Sequence, residues 1–131
     1  WKPEIPDMIR ISDEVHKIMN QDTSITEKAI TLMLFLMRSQ IFYDGNKRVA
    51  QLAANQVMIQ NGKGIISIPV EHQEFFVMLV KYYETNQMDE IKQFVYESSV
   101  SGINFQKKMD VKPVSKEEFY RKKVKPISPK L

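Results

Sequence analysis

Nine consecutive residues, Ala29-Ile-Thr-Leu-Met-Leu-Phe-Leu-Met37, carry a single polar letter, and a helix built from them is apolar on nearly every side. Such a helix is buried among other helices. It is too short to span a bilayer, which takes about 20 apolar residues. A second run, from Lys47 to Gln60, spreads Val49, Ala50, Leu52, Ala53, Ala54, Val57, Met58 and Ile59 over more than one face and predicts another buried helix. Between the two lies a short polar loop with the residues Gln40-Ile-Phe-Tyr-Asp-Gly-Asn-Lys-Arg48. Buried helices on both sides give that loop a rigid mount, the setting in which loop backbone can serve a ligand.

The loop delivers Gly45, Asn46 and two adjacent cations, Lys47 and Arg48, to the head of the second helix. A helix N-terminus has unpaired N–H groups and roughly half a positive charge, and a Gly-Asn turn lets successive amides converge on a phosphate. These letters predict an anion pocket. The same letters also make an ordinary turn, since Gly and Asn tolerate positive φ and Asp can bond its own backbone.

The rest of the chain predicts an all-α fold. Helix one is expected from Pro6 to Asn20, with a Met8, Ile11, Val15, Ile18, Met19 stripe facing inward. Helix two is expected from Ser24, where Ser24-Ile-Thr-Glu27 fits a capping box, to Ser39. Helix three should stop at Asn61-Gly62. Residues Ile65 to Val70 suit an extended piece, and Pro69 is placed to open helix four, whose Phe75, Phe76, Leu79, Tyr82 and Tyr83 share one face as core packing. A fifth helix from Met88 to Ser98 should bury Met88, Ile91, Phe94 and Val95.

Residues 40 to 48 resemble the signature of the Fic/Doc family, His-x-Phe-x-(Asp/Glu)-(Gly/Ala)-Asn-(Gly/Lys)-Arg, and six of its seven specified positions agree. The match falls at Phe42, Asp44, Gly45, Asn46, Lys47 and Arg48. Trp1-Lys-Pro-Glu-Ile-Pro resembles the aromatic, Pro-rich lead-in to the helix before the motif, and the likeness spans about residues 1 to 99. It implies a Fic-like helical bundle whose central motif helix follows an anion-binding loop. The implied activity is transfer of AMP from ATP to a Ser, Thr or Tyr hydroxyl of a target protein; related members move phosphate or other phosphate-linked groups. By the same resemblance Phe42 anchors the loop in the core and Asp44 helps hold Mg2+. Gly45 and Asn46 offer their amides to the nucleotide phosphates, and Arg48 contacts them through its side chain. Lys47 is the letter of Doc-like members. Implied partners are the target protein, an inhibitory or antitoxin-like protein, or further copies of the chain.

Gln40 stands where the family has its catalytic His. A general base must titrate near the working pH, and an amide has no accessible protonation equilibrium. Losing a base costs about 10²- to 10⁴-fold, so AMP transfer should be weakened or altered while phosphate binding remains open. Gln40 also reads as a plain polar cap on the preceding helix. Gln51 replaces a second Arg that many AMP-transferring members carry three residues after the first, as it is also replaced in Doc-like members. The only histidines, His16 and His72, read as surface residues. Thr23 and Glu27 imitate the family's inhibitory segment, but Lys28 breaks that pattern and helix capping accounts for the same letters.

Charge divides the chain in two. Residues 1–102 hold 10 Lys and Arg against 13 Asp and Glu, whereas residues 103–131 hold 9 against 3, with Pro113, Pro126 and Pro129. The expected organisation is a Fic-like core over 1–102 and a basic Pro- and Lys-rich tail over 103–131, solvated apart from a helix that could run from Lys116 to Lys123 after a Ser115 cap. A nucleic-acid binder led by that tail is a further function class, set beside the nucleotide-dependent modifier and the inactive binding module. The absence of cysteine excludes disulfides and thiolate chemistry and suits a bacterial cytoplasm. Because the chain opens at Trp1, the family's N-terminal target-docking flap is expected to be missing from it, and secretion stays open.

Overall fold

A computed structural model describes residues 1–69 and 72–102. The tail from 103 to 131, with its expected helix at Lys116 to Lys123, lies outside the described residues. Five helices occur among the described residues: α1 (Met8–Met19), α2 (Ile25–Ser39), α3 (Asn46–Gln60), α4 (Gln73–Thr85) and α5 (Asp89–Ser98). A two-residue strand, β1 (Ile65–Ile66), pairs antiparallel with β2 (Val100–Ser101), Ile65 opposite Ser101 and Ile66 opposite Val100. The fold is all-α, as its apolar periodicity predicts. No described helix is long and apolar enough to cross a membrane.

Local chemistry explains most helix boundaries. The Asp7 carboxylate accepts the Ile9 and Arg10 amides and starts α1. Ser24 Oγ accepts the Glu27 amide at 3.1 Å and starts α2, but the expected capping box is only half realised. The Glu27 carboxylate turns instead to Lys92 of α5, 2.8 Å away, tying the two helices together. Helix α4 begins later than expected. The Pro69 carbonyl accepts the His72 amide at 3.1 Å, and His72 then caps α4 by accepting the Phe75 amide on Nδ1 at 3.3 Å. His16 is exposed, as its place on the polar side of α1 predicts, whereas His72 is a half-buried cap packed edge-on against Phe94.

Helix α2 is the centre of the bundle, packed on α1, α3 and α5. Ile30, Met33, Leu34 and Met37 are fully buried in one cluster with Ala50, Ala54 and Met58 of α3 and Phe75, Leu79, Tyr82, Ile91 and Val95 of α4 and α5. Ala50, Ala54 and Met58 recur every four residues and form a single contact stripe. The expectation that α3 is buried on more than one face is therefore corrected. Val49, Leu52 and Ile59 are exposed, Leu52 at 70%. With apolar letters on several faces, the face that packs is chosen by where α2 lies, and one neighbour covers one stripe. Met8, expected in the α1 core stripe, is likewise exposed.

The expected extended piece after α3 shortens to two paired residues. Asn55 of α3 imitates a third strand: its side chain accepts the Ile66 amide at 2.6 Å and donates to the Ile66 carbonyl at 2.9 Å. Beside it, Gly64 and Gly102 have φ of +90° and +99°, and a Cβ on Gly64 would run into the Ser101 carbonyl oxygen. Only glycine allows the two backbones to come that close.

Candidate phosphate site at the head of α3

Six residues separate α2 from α3, and the loop they form is closed largely by one side chain. Asn46, the first residue of α3, accepts the Phe42 amide on Oδ1 at 2.9 Å and donates from Nδ2 to the Phe42 carbonyl at 2.8 Å. The same Nδ2 donates to Gln40 Oε1 at 3.2 Å. Gln40 caps α2 in the left-handed conformation, φ 48° and ψ 51°, and its Nε2 donates to the Met37 carbonyl at 2.7 Å. That bond satisfies one of the carbonyls that a helix end leaves unpaired.

Phe42 does not anchor the loop in the core. Its ring is half exposed, and its backbone N–H and C=O are held by Asn46 instead. The loop is thus fixed by hydrogen bonds at its neck, while Tyr43 at its tip is fully exposed. The side-chain role of Asn46 was not foreseen, because the letters point equally to its backbone amide.

Gly45 adopts φ +77° and is the N-cap of α3, with no side-chain cap on the helix among the described residues. Its amide donates to Asp44 Oδ1 at 2.8 Å, so it is engaged within the loop. The first-turn amides of Asn46, Lys47 and Arg48 follow it at the positive end of the helix. The Arg48 side chain folds back over Gly45. A Cβ at Gly45 would lie 3.3 Å from a terminal guanidinium nitrogen, so glycine leaves the seat in which the guanidinium rests. The Lys47 ammonium stands over the Phe76 ring, 5.4 Å from its centroid, and links the loop side of α3 to α4.

Together Gln40 and residues 43–48 line an open concavity of about 280 Å³. It gathers every matched position of the sequence motif except Phe42. Asp44 is exposed at its rim, and no group of three His, Asp, Glu or Cys side chains able to hold a metal occurs among the described residues. A lone carboxylate suits Mg2+, which keeps several waters and binds through one or two carboxylates plus substrate phosphates.

A buttress stands behind the loop. Arg38 donates from Nε to the Tyr83 carbonyl at 3.2 Å and lies 5.4 Å from the centre of the Trp1 ring, which packs 4.8 Å from the Tyr83 ring. Burial pushes the Tyr83 phenol up to about 12, with the neighbouring Gln40 amide and Arg38 guanidinium acting in the opposite direction. Its hydroxyl is buried with no partner at bonding geometry among the described residues. A phenol that stays protonated near neutral pH cannot stand in for the base that Gln40 lacks. Nothing in the letters around Tyr83 announces its place beside the loop; only the packing of α4 brings it there.

Residues 3–58, from the Pro-rich lead-in through most of α3, match the family model described as the Fic/DOC family. No curated protein and no solved structure matches the chain.

Proposed function

We infer, from a chain that belongs to the Fic/DOC family through residues 3–58, that it is a Fic-like nucleotide-binding protein related to the protein AMP-transferases. The observation that carries this reading is the concavity at the head of α3, where the Arg48 guanidinium lies over an uncapped helix N-terminus. Phosphoryl-type transfer rests mainly on positioning and on neutralising charge with cations and aligned amides. Arg48 and the first-turn amides of α3 would take the phosphate oxygens. Asp44 would hold Mg2+, whose bound chemistry is to neutralise phosphate charge.

Transfer to a protein hydroxyl needs a proton acceptor, and Gln40 is not one. Activity is therefore weakened or altered, and the substrate-facing part of the reaction falls to positioning alone. The bonds from both ends of the Gln40 amide to Met37 and Asn46 favour a second reading, a catalytically inactive binding or regulatory module built on the same phosphate pocket.

Calorimetry with ATP and Mg2+ tests the pocket. We predict that Arg48→Ala weakens binding by about tenfold or more, as expected for a charged hydrogen bond, without unfolding the domain. Equal affinity in the two proteins would remove the reading. Transfer of labelled AMP to a protein acceptor then separates the modifier from the inactive module.

A further inference from the structure

Gln40 occupies the position at which a helix most readily ends in glycine, with φ 48° and ψ 51°. A glycine would sit there more easily. A side chain of this length, with a donor and an acceptor at its tip, does what glycine cannot: it spans from the Met37 carbonyl to the Asn46 amide group. Asn46 in turn holds both backbone polar groups of Phe42. The neck of the loop is therefore a chain of bonds running Met37, Gln40, Asn46, Phe42, and Gln40 is its connection to α2.

We propose that Gln40 is a positioning residue for phosphate binding, an amide clasp that locks the head of α3 to the end of α2 and so sets where Asp44 and Arg48 face the concavity. This rests on the phosphate-binding reading. Gln40 acts through Asn46 and touches no reacting atom in this role. Asn46 has only one N–H2 group, and it serves both the Phe42 carbonyl and Gln40 Oε1. Without Gln40, Asn46 still closes its own turn, but that turn loses its side-chain link to the end of α2. Arg48 lies two residues beyond Asn46 on the same helical turn, and Asp44 two residues before it, so a swing of the turn moves both.

Two substitutions separate this role from a merely structural one. Gln40→Gly removes the clasp while relieving the left-handed backbone, so it should melt at or above the wild-type temperature. Its affinity for ATP with Mg2+ should nevertheless fall about tenfold, the loss expected when only about one molecule in ten holds Asp44 and Arg48 in the binding-competent orientation. Gln40→Met keeps side-chain bulk and the same backbone, and should lose affinity to a similar degree. In ¹⁵N spectra of both variants the Phe42 amide and the Asn46 side-chain signals should shift, with the α5 signals unmoved. Wild-type affinity in either variant overturns the clasp and leaves the pocket standing. So does a loss of affinity in Gln40→Met that Gln40→Gly does not share. Absence of ATP binding by the wild-type chain overturns the phosphate reading itself, and the positioning role with it.

Discussion

Replacing Gly45 with alanine tests backbone and site together. The residue sits at φ +77°, where an L side chain is strained, and a left-handed conformation costs a non-glycine residue roughly 1–2 kcal/mol. The added Cβ would also come to 3.3 Å from a guanidinium nitrogen of Arg48, with two further atoms of that group at 3.8 and 3.9 Å. The guanidinium is the far end of a flexible chain, so it can move aside at little cost in stability, and the stability loss is almost wholly the backbone contribution. For a domain of this size that loss lowers the melting temperature by about 4 °C or more. The displaced Arg48 should show separately, as an affinity for ATP with Mg2+ reduced about tenfold. Gly62→Ala is the control. It has the same kind of backbone, φ +64°, at the opposite end of α3, so it should melt early and bind normally. If Gly45→Ala melts with the wild type, the left-handed N-cap is wrong. If it binds like Gly62→Ala, Arg48 does not use the seat that glycine leaves.

Two other expectations follow from packing and ionisation. Met37→Ala should cost about 2–5 kcal/mol in urea unfolding because Met37 is wholly buried in the α2 cluster, whereas Leu52→Gln on the open face of α3 should change stability by no more than about 0.5 kcal/mol; similar losses at both sites would contradict the burial pattern. Alkaline pH should destabilise the fold. The Tyr83 phenol is raised from its ordinary 10 to about 12 in the folded chain, so its contribution is intact below pH 10 and is lost as pH rises through 12. Burial raises Tyr82 in the same sense. Each such group steepens the fall by up to about 1.4 kcal/mol per pH unit, and a urea midpoint that does not move between about pH 9 and about pH 11 would refute the burial of both phenols.

How much could be read from the letters differs from one part of the molecule to another. The start of α2 and the stop of α3 follow from Ser24 and from Asn61-Gly62, because caps and turns are settled by residues within a few positions of one another. The aromatic stripe of α4 was legible for the same reason: a helical period is a local property, and Phe75, Leu79 and Tyr82 are buried as it requires. Failures cluster where a residue had two possible partners. Glu27 could bond back to its own cap or out to Lys92, and only the approach of α5 decides. Asn46 could present its backbone or its side chain, and the path of the loop back past Phe42 favours the side chain.

By itself, the sequence determined that this chain is a helical bundle, that a polar loop enters α3 with Gly45, Asn46, Lys47 and Arg48 at its head, and that the position at 40 cannot accept a proton. Those facts depend on residue chemistry and short-range spacing. Tertiary structure alone decided which stripe of α3 is buried, that Phe42 stays half exposed, and that Arg38, Tyr83 and Trp1 stand behind the loop. The physical reason is that burial depends on how neighbouring elements approach. A helix with apolar letters on several faces, or an amide with a free donor and acceptor, is completed by whichever neighbour the fold places against it.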